Sequence, residues 1–207
     1  PVWVAASTHA GEEAIVLDAL RLLHQTHPNV LLVLAPRHPQ RFSGVQTLCN
    51  ERGFQTSLRS KGNPVNARTQ ILLGDTLGEL TLFYAAADLA LVGGSLVPGI
   101  GGHNLLEPAA LRLPIVIGPY AQDGSQITNL LQTEGALCQV ANASALAAAA
   151  AIAVAIQYDS GYVLLAYGHT TVEMTLWVAL ALLALVVMKQ AFLFKMFGEC
   201  IKTIGLL

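Results

Sequence analysis

The chain is poor in charge, poor in aromatics and has three cysteines that never pair in sequence, and each scarcity removes a class of function. Eleven Lys and Arg against thirteen Asp and Glu leave a formal net charge of −2. No basic stripe is interleaved with aromatics, so nucleic acid is not an expected partner. Cys49, Cys138 and Cys200 lie far apart with no CxxC pair, which argues against a disulfide framework or a zinc site and fits a reducing compartment. The six histidines lack HExxH or any related spacing, so no metal is expected. Ser-His-Asp order and paired carboxylates are also missing, and no residue of the chain reads as catalytic. The sequence opens on Pro1-Val2-Trp3-Val4, a strand-like run without an initiator Met or signal peptide, and reads as a piece of something longer.

What is present is unevenly distributed. The 54% hydrophobic and 12% charged composition arises largely from the last third. Residues 1–142 read as a soluble α/β domain and residues 143–207 as a hydrophobic helical tail. In the first part, apolar β-rich runs at Val2 to Ala6, Val30 to Leu34, Ile71 to Leu73, Leu89 to Val92, Pro114 to Ile117 and Leu137 to Val140 alternate with helical patterns. These helices are expected over Glu12 to Leu23, Phe42 to Arg52, Thr76 to Ala87, Ala109 to Leu113 and Ser125 to Thr133. Alternation of this kind predicts a Rossmann-like parallel sheet covered on both faces, with ligands at the carboxyl ends of its strands.

The densest signal lies at one of those ends. Gly93-Gly94-Ser95 and Gly99-Ile100-Gly101-Gly102-His103-Asn104 follow the Leu89 to Val92 run and lead into a helix start at Leu105-Leu106-Glu107-Pro108. A glycine-rich loop brings backbone N–H groups close to a ligand, and a helix behind it points its positive end the same way, a combination suited to a phosphate. The third glycine of the dinucleotide fingerprint and the Gly-Lys-Ser/Thr of a P-loop are both missing, so the motif specifies an anion and no particular cofactor. Two readings of Glu107 stay open, a capping box with Asn104 or a ribose-binding carboxylate. Arg37 and His38, held in a proline-bounded loop, offer charge and hydrogen bonds to a phosphate or base, or are simply solvated. Ser7 and Thr8 either cap the helix that follows or touch ligand, and His9 is open.

Four ordered motifs carry a family resemblance: Ser7-Thr8-His9-Ala10-Gly11-Glu12-Glu13, Pro36-Arg37-His38-Pro39-Gln40-Arg41-Phe42, Gly74-Asp75-Thr76-Leu77-Gly78-Glu79-Leu80, and Gly93-Gly94-Ser95 with Gly101-Gly102-His103-Asn104-Leu105-Leu106-Glu107-Pro108. Over residues 1–140 the chain resembles the C-terminal half of the Kdo transferases, the 3-deoxy-D-manno-octulosonic acid transferases of lipopolysaccharide synthesis, which have the two-domain GT-B fold. The resemblance implies a donor-binding domain for CMP-Kdo in an inverting, metal-independent transfer to a lipid A precursor at the cytoplasmic face of the inner membrane. It also implies that Arg37, His38, Gly94, Ser95, Gly101, Gly102, His103, Asn104 and Glu107 form the donor-contacting set. In the family the acceptor domain that carries the catalytic base and the membrane anchor is N-terminal and precedes the matching region, so this chain alone is expected not to transfer. Asp123-Gly124 stands where the family shows Asn-Phe.

Beyond residue 142 the expectation is of membrane. Ala143 to Ile156 is an alanine-rich apolar run that suits either a membrane span or a soluble helix. Met174 to Met188 has no charge and reads as a membrane helix with Trp177 near one end. Gly161 to Tyr167 and Glu173 to Val187 resemble the N-terminal membrane hairpin of HemY, a membrane protein associated with tetrapyrrole synthesis. That gives an alternative, a natural fusion, fragment or joined reading frame in which a non-catalytic α/β scaffold sits on a membrane hairpin.

Overall fold

Val2–Thr8 forms β1, and Trp3, Val4, Ala5 and Ala6 are all at most 1% exposed. Successive side chains of a strand point to opposite faces, so a strand buried throughout needs cover on both sides. Trp3 and Ala5 join one apolar cluster and Val4 and Ala6 another. β1 is the middle strand of a seven-stranded sheet in a computed structural model that describes residues 1–62, 64–121, 126–158, 162–167 and 170–175. Every pairing in this sheet is parallel.

The other strands are β2 (Leu31–Pro36), β3 (Thr56–Leu58), β4 (Ile71–Leu73), β5 (Leu89–Val92), β6 (Ile115–Ile117) and β7 (Leu137–Gln139). Their spatial order is β3-β4-β2-β1-β5-β6-β7. The order reverses at β1, so the loops after β1 and β5 leave the sheet side by side, the place where open α/β sheets bind ligands. Helices α1 (Glu12–Leu23), α2 (Phe42–Glu51), α3 (Leu80–Ala85), α4 (Leu106–Ala110) and α5 (Gln126–Thr133) connect these strands.

α1 has the bounds expected from its apolar spacing, whereas α3 and α4 do not. α3 was expected from Thr76, but Asp75 accepts hydrogen bonds from Ser60 and the Thr76 hydroxyl bonds to Glu79, which holds the segment in a loop up to Leu80. α4 begins at Leu106, inside the expected helix start at Leu105 to Pro108, where the Asn104 side chain accepts the N–H of Leu106, but it ends at Ala110, short of the expected Leu113. β3 had no counterpart in the sequence reading. It is short, half-buried and at the sheet edge, so neither length nor alternation marks it.

The alanine-rich run forms α6 (Ala143–Tyr158). Leu146, Ala147, Ala150, Ala153 and Val154 recur at helical spacing and pack into the cluster that contains Trp3, Leu17 and Leu20. The run is therefore a core-forming helix of the α/β unit, which extends over Pro1–Gln157. At about 1.5 Å per residue its sixteen residues are short for a bilayer. No helix among the described residues is long and apolar enough to cross a membrane.

The second unit, Tyr158–Leu207, contains an antiparallel pair, β8 (Tyr162–Tyr167) and β9 (Thr170–Thr175). This corrects the expected helical hairpin. Where the HemY likeness called for helix, the described residues are strands, and the β-branched Val163, Thr170, Thr171, Val172 and Thr175 suit that conformation. The remainder of the Met174 to Met188 run, with Trp177, lies outside the described residues.

Candidate functional site

Gly94, Ser95 and Leu96, in the loop after β5, do present converging N–H groups, and the anion they hold belongs to the chain itself. Glu12 is fully buried at the start of α1. One of its carboxylate oxygens accepts the N–H groups of Ser95 and Leu96 at 2.9 and 2.8 Å, and the other accepts those of Gly94 and His9, both at 2.8 Å. A carboxylate with several backbone donors makes strong charge-assisted bonds. Glu12 thereby fastens the β1–α1 loop to the β5–α4 loop. Neither Ser7 nor Thr8 caps α1; its N-cap position is Gly11 and Glu12 itself takes the His9 N–H.

A second buried carboxylate fastens the neighbouring loop. Glu13, 1% exposed, receives both guanidinium nitrogens of Arg41 at 2.6 and 2.9 Å and the Thr8 hydroxyl at 2.9 Å. The Glu13 hydrogen bond raises the Arg41 pKa above its usual value. The carbonyl of Thr8 accepts the N–H of Arg37, so the Arg37 loop is tied to the end of β1 as well. Arg41→Ala is expected to lower stability by about 2 kcal/mol, the scale of hydrogen bonds to a charged group, with Arg41→Lys recovering part of it. Urea unfolding monitored by circular dichroism measures this, and a loss below about 0.5 kcal/mol, the size of an ordinary surface change, would refute the clamp.

With these ties in place, three histidines from three loops meet. His9 and His103 approach Nε2 to Nε2 at 2.7 Å with their planes 15° apart, and His38 stands edge-on to His9 with centroids 5.3 Å apart. Burial lowers the His103 pKa, with His9 and Arg37 adding to the effect. Burial likewise lowers that of His9, against the opposing pull of Glu12. Gly94 has φ +75° and a Cβ there would stand 3.1 Å from the His103 ring, so glycine is required both for the turn and for the ring to lie against it.

The remaining expected residues divide into two groups. Gly101, Gly102, His103 and Asn104 line a cleft of about 210 Å³ closed by Ile117, Ala121, Ile127 and Thr128. Arg37 and His38 are exposed at the neighbouring loop, and Ser7, half-buried, adopts φ 55°, a costly conformation for a non-glycine residue at the end of β1. Ser95 is different. It is fully buried, donates its hydroxyl to the Val92 carbonyl and accepts the Gly118 N–H, so its side chain faces the protein interior. The Gly102 N–H is also taken, by the Gly94 carbonyl. Glu107 is exposed in the first turn of α4 and forms no reciprocal bond to Asn104, so there is no capping box. Burial first and the Glu107 charge second raise the pKa of Tyr84.

Asp123 and Gly124 lie outside the described residues. Among the described residues no group of three or more His, Cys, Asp or Glu is arranged to hold a metal ion. Of the cysteines, Cys49 is buried, which pushes its thiol up to about 11, and Cys138 is exposed. Sequence reasoning about the site missed Glu12, Glu13 and Arg41. Two acids opening a helix read as complements to its dipole, and the one available signal was that both precede an otherwise apolar face.

No family model matches the chain. It is similar to the 3-deoxy-D-manno-octulosonic acid transferase of Haemophilus influenzae, with 45% identity over 147 residues, 70% of this chain and 34% of that protein. Its similarity to the enzyme of the same name from Bordetella pertussis is 42% over 125 residues, 58% of this chain and 29% of that protein. The chain thus spans about a third of the length of the curated relatives it matches. Among solved structures, the C-terminal CMP-Kdo binding domain of WaaA from Acinetobacter baumannii superimposes with a TM-score of 0.69 at 36% identity, over 76% of this chain and 80% of that one.

Proposed function

Since the chain belongs to the 3-deoxy-D-manno-octulosonic acid transferase family, where it matches the C-terminal domain, we propose that it is the donor-binding half of a glycosyltransferase and holds CMP-Kdo. The observation that carries this reading is the likeness to a CMP-Kdo binding domain over four fifths of that domain's length. The geometry agrees with it. The cleft at Gly101 to Asn104 opens beside Arg37, His38 and the histidine pair, at the end of the sheet where a nucleotide is bound in folds of this kind.

In this reading the phosphate lies between Arg37 and the His103 to Asn104 segment, and Glu107 takes the ribose hydroxyls. As the sugar leaves, the CMP phosphate gains negative charge, and Arg37 with the neighbouring N–H and imidazole donors stabilises that charge in place. No base for the acceptor hydroxyl is proposed in this chain. An N-terminal domain of the complete enzyme supplies it, receives a lipid A precursor and works at the cytoplasmic face of the inner membrane, in lipopolysaccharide synthesis. Ser95 and Gly94 hold the shape of the loop in this scheme and Ser7 to His9 border it.

Isothermal titration with CMP and with UDP tests the reading. CMP is expected to bind and UDP to bind at least tenfold more weakly, a difference of about 1.4 kcal/mol. Glu107→Ala is expected to weaken CMP by a similar factor. Equal affinity for both nucleotides, or full affinity in the variant, removes the CMP assignment or the role of Glu107 respectively.

A further inference from the structure

The 2.7 Å approach of His9 Nε2 to His103 Nε2 has a chemical meaning of its own. Two imidazole nitrogens at this distance share a proton, one ring donating and the other accepting. They are too close to be joint ligands of one ion, since nitrogens on a tetrahedral zinc stand about 3.3 Å apart at the usual bond length. In the neutral pair the donor ring has its Nδ1 free of a proton, and the acceptor ring carries its own proton on Nδ1. One further proton can enter, at the donor ring's Nδ1, and the hydrogen bond survives. A second would have to occupy the Nε2 lone pair that already accepts the bond, so the pair holds a single positive charge at most.

The surroundings of the two rings disfavour that charge. Burial does most of this, and Arg37, Arg41 and His38, which face the pair from the β2 loop, add to it. Glu12 and Glu13 face it from α1. They pull toward the charged ring, but burial outweighs them and the net shift of His9 is downward. An anion placed in the adjoining cleft reverses the balance, because an opposite charge within a few ångströms favours the protonated ring.

We propose that His9 and His103 act as one proton-sharing unit that takes up a single proton from solvent when a phosphate enters the cleft beside Arg37, so that the site acquires part of its positive charge together with its ligand. This rests on the CMP reading given above and deepens it. The pair is a positioning and charge-matching device, and His9, which lies outside the lining of the cleft, acts through His103.

Two measurements on the whole chain separate the parts of the proposal. In the ligand-free protein, the ring Cε1–H resonances of His9 and His103, assigned with His9→Asn and His103→Asn, are expected to move together in one titration step below the ordinary histidine pKa. Loss of either ring should shift the step of the other. Two independent steps near pH 6.5, each indifferent to the other ring, overturn the shared proton whatever CMP does.

Calorimetric titration with CMP at pH 7, in buffers of different ionisation enthalpy, is then expected to show uptake of about half a proton or more per CMP, and affinity that weakens as pH rises. In the two variants both effects should fall to what the CMP phosphate alone produces. The ionisation of the CMP phosphate itself, with a pKa near 6, remains in all three proteins and cancels in the comparison. Uptake that persists in both variants overturns the pair's role while leaving CMP as ligand. Absence of CMP binding to a wild-type chain whose two rings titrate jointly overturns the ligand and leaves the pair. Thermal melting verifies that each variant folds, and His9→Gln or His103→Gln replaces an Asn variant that does not.

Discussion

Replacing Glu12 by alanine is expected to destabilise the α/β unit by about 3–5 kcal/mol, the scale seen when one side of a buried charge-assisted network is removed. Glu12→Ala leaves four backbone N–H groups without an acceptor, those of Gly94, Ser95 and Leu96 buried and that of His9 part-buried. Each unsatisfied buried group costs about 1–3 kcal/mol, with relaxation reducing the total. Glu12→Gln keeps the shape and one acceptor oxygen but turns an NH2 toward N–H groups, so it is expected to fall between wild type and alanine. Urea unfolding gives the numbers. A loss under about 1 kcal/mol for Glu12→Ala would mean that the loop finds other partners.

Such a loss matters beyond stability, because a domain of this size has only about 5–15 kcal/mol in total. The loop that Glu12 holds also carries Gly94 against His103. A Glu12 variant that still folds is therefore expected to bind CMP more weakly than Arg41→Ala does, since Arg41 ties the other side of the same loop cluster through Glu13 and Thr8.

The second large effect is expected at Gly118→Ala. A Cβ on Gly118 would stand 2.1 Å from the Ser95 carbonyl oxygen and 2.5 Å from the Leu96 Cα. Both are backbone atoms, so no side chain can turn aside to make room. The Gly118 N–H is bonded to the Ser95 hydroxyl and the Ser95 carbonyl accepts the Tyr120 N–H, which fixes the two segments in this close approach. Ordinary overpacking costs about 1–3 kcal/mol, and here the shift must pass through the backbone that Glu12 grips. A loss of about 3 kcal/mol or more is expected in thermal or urea unfolding, and a variant as stable as wild type would show that β6 and the loop can separate freely.

The parts of the molecule that the sequence made legible are those decided by local pattern. α1 could be bounded at Glu12 and Leu23 because its acids, its apolar spacing and its flanking glycine all agree. β1 and β5 could be recognised as buried strands from their unbroken apolar runs, which parallel sheets require on both faces. The glycine loop was correctly marked as rich in backbone donors, and what it holds was not visible. Glu12 and Leu96 are 84 positions apart, and no local pattern joins them.

The alanine run shows a different limit. With Ala, Leu, Val and Ile on every side, α6 has no polar face by which its surroundings could be read. Bilayer and sheet were equally compatible with it until Leu146, Ala150 and Val154 were found packed in the core. Tyr162–Thr175 was absorbed into an expected membrane hairpin, although its β-branched residues pointed to the strands that form there.

The place of β1 also sets an order of events during folding. Within this sheet it comes first in sequence and lies in the middle in space, flanked by β2 nearby and by β5 far along the sequence. Contacts between distant segments form late, because chain closure opposes them until much of the structure is in place. On a growing chain Glu12 therefore emerges well before residues 94–96 and waits without its partners until they have been made. The cleft at Gly101 to Asn104, which follows directly on that junction, takes shape only once it has closed.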